Sequence, residues 1–266
     1  MSGHSKWAKI KRAKGVKDTK RGALFTKIAK NITLAAAEAG GDIDMNFSLR
    51  LAVEKAKAAN MPSDNISRAI KKGTGEGKKL NIQRVPYEAT LQGSIGVIID
   101  CQTDNTNRTV AEVRKIVEGA GGKFVPAGSV SWQFTEKGII TVVPAKLKKS
   151  EKYGKDDTYE SVNTDEAELE LLDIEGILDI ENDELEQEDG TEAEVLVVIT
   201  EKTNFAKVLK QIERLQFKVE SAELVKMAKD KIKGSEGQVN AVQGLIDRLE
   251  DHDDVDAVWT NLEGVS

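Results

Sequence analysis

The chain has 266 residues, 39% hydrophobic and 32% charged, which is enough apolar material for two or three cores under a heavily solvated surface rather than a single domain. No apolar run approaches the roughly 20 residues that cross a bilayer, and one cysteine excludes an intramolecular disulfide. The net charge of −6 argues against a polyanion partner only as an average, because residues 1–79 hold 18 Lys+Arg against 7 Asp+Glu and the remainder 21 against 38.

The first 22 residues carry Lys6, Lys9, Lys11, Arg12, Lys14, Lys17, Lys20 and Arg21 against Asp18 alone. Like charges at that density repel, so this stretch is expected to be extended or only partly helical until a counter-charge arrives. It leads into no apolar h-region or small-residue cleavage site, so it does not read as a secretory signal, and it is richer in Lys than a mitochondrial transit peptide. A cytoplasmic protein is expected. From Leu24 the apolar residues fall at helical spacing through Ile28 and Ile32, ending at Gly40–Gly41. A second helix is expected from Asn46, as cap, to Ala59, and a third from Pro62–Ser63 to Gly73.

Residues 73–81, GTGEGKKLN, form a linker. The glycine spacing is wrong for a phosphate loop, Lys79 stands where Ser or Thr belongs, and a helix precedes it where a strand is required. Strand and helix signals then alternate. RVPYEAT and GVIIDCQTD read as strands, and NRTVAEVRKIVEG as a helix with Val110, Val113 and Val117 on one stripe and Thr106 or Asn107 as cap. SVSWQF and GIITVVP read as two strands around a TEKG turn. Residues 156–194 hold 18 Asp+Glu and no Lys or Arg, yet a helix (TDEAELELLDIEG) and two strands (ILDIEND, EAEVLVVIT) keep an apolar period, so the block is folded. A strongly amphipathic helix follows through Phe205, Val208, Leu209, Ile212 and Leu215. The chain closes with an extended segment near 222–232, a helix at 239–250 and a strand at 254–260.

From Ile139 to about Glu220 this order is β, α, β, β, α, β, one split βαβ unit, and the elements outside it complete another. The expected fold is α+β: an N-terminal three-helix domain (1–79), then two ferredoxin-like domains, the third (136–220) inserted in the second (80–135 and 221–266).

Candidate chemistry concentrates at the basic end. Lys6, Lys9, Lys11, Arg12, Lys14, Lys17, Lys20, Arg21, Lys27 and Lys30 can neutralise phosphates and release counterions, giving affinity without sequence information. Trp7 can stack on an unpaired base or be merely an exposed aromatic, whereas Phe25 sits at a core position. The TDNTNRT segment offers a contact loop of Asp104, Asn105, Asn107 and Arg108; its Asn and Asp residues serve equally as turn and cap formers. Arg108 at a helix start opposes the macrodipole unless a phosphate or carboxylate meets it. Cys101, in a strand-like run, reads as a buried structural thiol. Two histidines, His4 and His252, cannot build a zinc site with one cysteine, and EDHDD at 250–254 reads as a solvated acidic face. No metal, cofactor, small-molecule substrate or membrane is implied, and oligomeric state is not readable.

GHSKWAKIK (3–11), KRGALFTKIAKNIT (20–33), KAKAANMPSDNISRAIKKG (55–73), TDNTNRT (103–109) and SVSWQF (129–134) together resemble the YebC/PmpR family of regulatory proteins, whose mitochondrial relatives act as a translational activator for cytochrome oxidase. The resemblance runs the full length with the blocks in order, although the acidic block is more strongly charged than the family pattern. It implies three domains, no catalysis, and a nucleic-acid-binding role, either in DNA-binding transcriptional regulation or, through rRNA or tRNA, on ribosomes during translation.

Overall fold

A computed structural model describes residues 18–75, 82–92, 94–148, 158–186 and 191–265. Three helices come first: α1 (Asp18–Ala39), α2 (Phe47–Ala58) and α3 (Ser63–Gly73). Asn46 caps α2 as its sequence position predicts, its carboxamide oxygen accepting from the Leu49 amide at 3.0 Å, while its Nδ2 donates to the carbonyls of Ala35 and Gly40 at 2.7 Å. The same side chain therefore starts α2 and ties it to the end of α1. Ile28, Ile32, Leu49, Val53, Met61 and Ile66 form the shared core, with Phe25 packed against it. Helix α1 is already formed at Asp18, the first described residue, before the apolar period that opens at Leu24. Where α1 crosses α3, a Cβ on Gly73 would lie 2.4 Å from the Thr33 carbonyl oxygen and 2.7 Å from the Ala36 Cβ. Gly73 is thus the last residue of α3 and the point of close approach, rather than a residue beyond the helix.

Strands β1 (Gln83–Leu91) and β2 (Ile95–Thr103) are followed by α4 (Thr106–Gly119) and β3 (Gly122–Val125). With β9 (Val255–Thr260), they make a four-stranded antiparallel sheet of order β3-β1-β2-β9. Helices α4 and α7 (Glu236–Glu250) cover one face, closing over Leu91, Ile95, Val97, Ile99 and Cys101 with Val113, Val117, Val242, Leu245 and Leu249. Burial pushes the Cys101 thiol up to about 12, so it stays a protonated packing group.

The expected strand over SVSWQF is replaced by a 3-10 turn, Ser131–Gln133. Its cause lies some 40 residues away: the Glu88 carboxylate, on the sheet face opposite α4, accepts from the amides of Gly128 (2.8 Å), Val130 (2.5 Å) and Ser131 (3.2 Å) and curls the chain beneath it. Nor does TEKG turn. Strand β4 runs unbroken from Phe134 to Lys148. Gly138 belongs there because a Cβ would meet the Phe205 ring at 2.4 Å and Thr200 Oγ1 at 2.5 Å, a packing demand rather than a turn.

The second sheet holds β5 (Thr158–Ser161), β4, β7 (Glu192–Glu201) and β6 (Ile177–Glu186) in that order, and β4 also pairs with β8 (Phe217–Ala228). Helices α5 (Thr164–Leu172) and α6 (Phe205–Arg214) supply Ala167, Leu171, Phe205, Val208, Leu209 and Ile212 as buried residues. The β, α, β, β, α, β order read from Ile139 onward is present as β4, α5, β6, β7, α6, β8, with β5 as an addition. Of the extended segment near 222–232, expected beside the first sheet, the part up to Ala228 belongs instead to β8 and the second sheet, while the Lys229 amide donates to the Gln133 carbonyl and Ile232 makes an isolated parallel bridge to Leu262. Strand β3, which no apolar period announces, takes the edge of the first sheet in place of the strand expected over SVSWQF. Of the described residues, 136–226 form one unit and 18–135 with 227–265 the other.

Candidate functional site

Of the basic candidates, Lys6, Trp7, Lys9, Lys11, Arg12, Lys14 and Lys17 lie outside the described residues, and Lys20 and Arg21 stand in the first turn of α1. Lys27 and Lys30, one turn apart on α1, point into the protein. Lys27 donates to the Glu250 carbonyl at the end of α7. Burial lowers its pKa, against the opposing pull of Glu250, Asp256, Asp253 and Asp251. Lys30 donates to Asp254 Oδ1 at 2.7 Å and the Asp253 carbonyl at 3.0 Å. One turn along from Lys27, Asn31 donates to Asp256 at 2.8 Å and accepts from the Gln102 carboxamide.

Asp254 is the hub of this arrangement. The residue is 4% exposed. Besides Lys30, its carboxylate receives Arg108 Nη2 and Thr109 Oγ1, both at 2.7 Å, and Thr103 Oγ1 at 3.2 Å, all on Oδ2. Burial would raise its pKa, but the hydrogen bonds from Lys30, Arg108 and Thr109 outweigh that and hold the carboxyl well below the usual carboxylate range. EDHDD is therefore not wholly a solvated face: its fifth residue joins α1, the β2 end and the α4 start. The role of Asp254 escaped sequence reasoning because its partners lie some 145 to 224 positions away.

The TDNTNRT loop is built into the same junction. Asn105, rather than Thr106 or Asn107, caps α4, accepting from the Arg108 amide at 3.1 Å. Arg108 pairs with Asp104 at 3.1 Å and with Asp254, so carboxylates offset its position at the helix start. Asn107 is exposed. His252 Nδ1 accepts from the Asp254 amide at 3.1 Å, which leaves the proton on Nε2, 3.0 Å from Glu112. Among the described residues no group of three or more His, Cys, Asp or Glu is placed to hold a metal ion, and no helix is long and apolar enough to cross a membrane.

Helices α1 and α3 on one side and α4 with the α7–β9 turn on the other leave a cleft of about 1250 Å³. Arg68 and Lys72 from α3 and Lys115 from α4 line it together with Asp104, Glu112 and Asp251. Cations and carboxylates are matched there, so the cleft by itself is no polyanion funnel. Arg68 and Lys72 stay exposed at its rim, and Lys71, next to them on α3, is exposed as well.

An α+β chain with basic helices at its start and an acidic sheet unit within it is thus defined by its fold and charge. Residues 5–76 match the TACO1/YebC protein N-terminal domain and residues 82–262 the TACO1/YebC second and third domain. The chain belongs to the TACO1/YebC family. It is 41% identical over 263 residues to a probable transcriptional regulatory protein of Herpetosiphon aurantiacus, covering 99% of this chain and 95% of the relative. A protein of the same description from Geobacter sulfurreducens is 40% identical over 99% of this chain and 96% of its own. Among solved structures, the conserved hypothetical protein Aq1575 from Aquifex aeolicus shares 32% identity at a TM-score of 0.77, over 97% of this chain and 96% of that one.

Proposed function

We propose that the chain is a non-catalytic, cytoplasmic regulator of gene expression that binds nucleic acid, DNA foremost, through its basic N-terminal end. One observation carries the reading. Residues 1–17 hold six Lys+Arg and no acid, whereas residues 136–226 hold 12 Lys+Arg against 24 Asp+Glu. A polyanion is attracted to one segment of such a chain and repelled by the other, which fixes where it binds before any base is read. Support comes from the family, whose curated relatives are named as probable transcriptional regulators. The exposed Arg68 and Lys71, with Lys72, extend the candidate surface beyond the tail. Because Lys27 and Lys30 serve the junction with Asp254, the remaining Lys6, Lys9, Lys11, Arg12, Lys14, Lys17, Lys20 and Arg21 are the phosphate contacts, with Trp7 beside the first of them. Of the 103–109 loop, Asn107 is left as the contact candidate.

In the domain organisation that accompanies this reading, 1–79 supplies the grip, 80–135 with 221–266 the body, and 136–220 an acidic inserted domain. Binding of the full chain to a promoter-length duplex, compared with co-sedimentation on ribosomes at the same ionic strength, tests it. Retention of the duplex without ribosome association is expected; ribosome association with no duplex binding would replace transcription by translation as the process regulated.

A further inference from the structure

Trp132 is 66% exposed, an unusual position for the largest of the apolar side chains. Nothing about it is loose. Its indole Nε1 donates to the Ser129 carbonyl at 3.0 Å, its own carbonyl accepts from Lys229 Nζ at 2.7 Å, and the turn that carries it hangs from Glu88 through three amides. The following residue is fixed as well: the Gln133 carbonyl accepts from the Lys229 amide at 2.8 Å, and Gln133 Oε1 from Asn261 at 2.6 Å. Val130 beneath it is fully buried against Ile98 and Phe134. A turn in which Val130 fills the core while Trp132 is held out commits its polar groups to aiming an indole at solvent.

One cation is fixed beside it and two more follow in the chain. Lys229 has two further ammonium hydrogens, and the chain continues through exposed Lys231 and Lys233, which flank Ile232 where it packs inward, with Asp230 the acid among them. A rigid aromatic beside flexible ammonium groups is the pairing by which single-stranded nucleic acid is held: a base stacks on the ring while lysines meet its phosphates. A duplex, whose bases are already stacked, gives such a ring nothing to cover. We propose that Trp132, with Lys229, is a second nucleic-acid contact that stacks one unpaired base. It lies on the sheet face opposite α4 and α7 and is distinct in sequence from the basic N-terminal end. The proposal rests on the nucleic-acid reading above and adds to it a preference for a single-stranded segment.

The test uses the full chain and a single strand of about 12 nucleotides carrying one 2-aminopurine, with a duplex of equal length beside it. Trp132→Ala is expected to weaken single-strand binding about 5- to 150-fold, the loss associated with one base stack, to abolish quenching of the 2-aminopurine, and to leave duplex affinity unchanged. Trp132→Phe should restore most of the affinity and the quenching. Because the ring is exposed, both variants should melt with the parent, and melting curves check that they do. Unchanged single-strand affinity and quenching in a folded Trp132→Ala protein overturns this contact while leaving the N-terminal reading intact. An equal loss on both ligands overturns it too, since the ring would not be reading unpaired bases. If the parent binds neither ligand, it is the nucleic-acid reading itself that fails.

Discussion

Asp254 is the residue on which most of the junction converges, and its replacement has a calculable signature. Removing one member of a buried charge network costs about 3–5 kcal/mol when the partners are fully buried. Lys30 and Arg108 retain side-chain exposures of 21% and 45%, so Asp254→Asn is expected to cost about 2–3 kcal/mol in urea unfolding at neutral pH. The pH dependence follows from the depressed carboxyl. Unfolded, it titrates near about 4; folded, it titrates lower. The unfolded chain therefore binds the extra proton in acid, and the stabilisation, complete above about pH 4 to 5, is lost as pH falls through the folded value. The gap between parent and Asp254→Asn should accordingly be constant from about pH 6 to 8 and shrink below about pH 4. Glu88 titrates in the same sense: burial opposes, but the amides of Gly128, Val130 and Ser131 prevail and lower its pKa.

Among the elements, the helices test packing most cleanly. Gly73→Ala forces a methyl onto the Thr33 carbonyl, a backbone atom that cannot swing aside, so α1 and α3 must separate at a cost of about 1–3 kcal/mol. Gly119, at the end of α4, has no atom within 4 Å of where a methyl would stand; Gly119→Ala should be neutral or stabilise by up to about 1 kcal/mol through the unfolded chain. Parallel urea titrations of the two variants distinguish close approach from helix propensity. What is legible in the sequence divides along the same line. The α2 cap at Asn46, the apolar stripe of α6 and the run of β7 depend on neighbours within a turn or a strand, and local spacing reveals them. The turn at 131–133 and the unbroken β4 depend on Glu88 and Phe205, which spacing cannot see. Strand β3 is only four residues long, too short for a period, and β8 reads as a partner of the first sheet because its apolar pattern does not specify which edge it joins. Of the candidate site, the charge segregation is legible from residue counts. That Lys27 and Lys30 turn inward is not, because helical spacing places them on a face without saying what the face meets.

For the molecule as a whole, charge and fold are assigned to different parts of the chain. The described core of the helical region begins at Leu24 and Phe25, and a tail whose large apolar residues are few (Trp7, Ile10 and Val16) is expected to bury little surface, so removal of residues 1–17 is expected to leave the fold standing. Six phosphate contacts by Lys6, Lys9, Lys11, Arg12, Lys14 and Lys17 correspond to a slope of about −4 to −5 in log affinity against log salt, from about 0.7 per single-stranded contact or 0.9 per duplex contact. The most direct measurement is that slope for the full chain and for a chain lacking residues 1–17, on one nucleic acid, with melting temperatures taken alongside. In the truncated chain the slope should be flatter by about 4 to 5, with weaker binding and an unchanged melting temperature; equal affinity and equal slope in the two proteins would contradict this and place the nucleic-acid grip elsewhere in the chain.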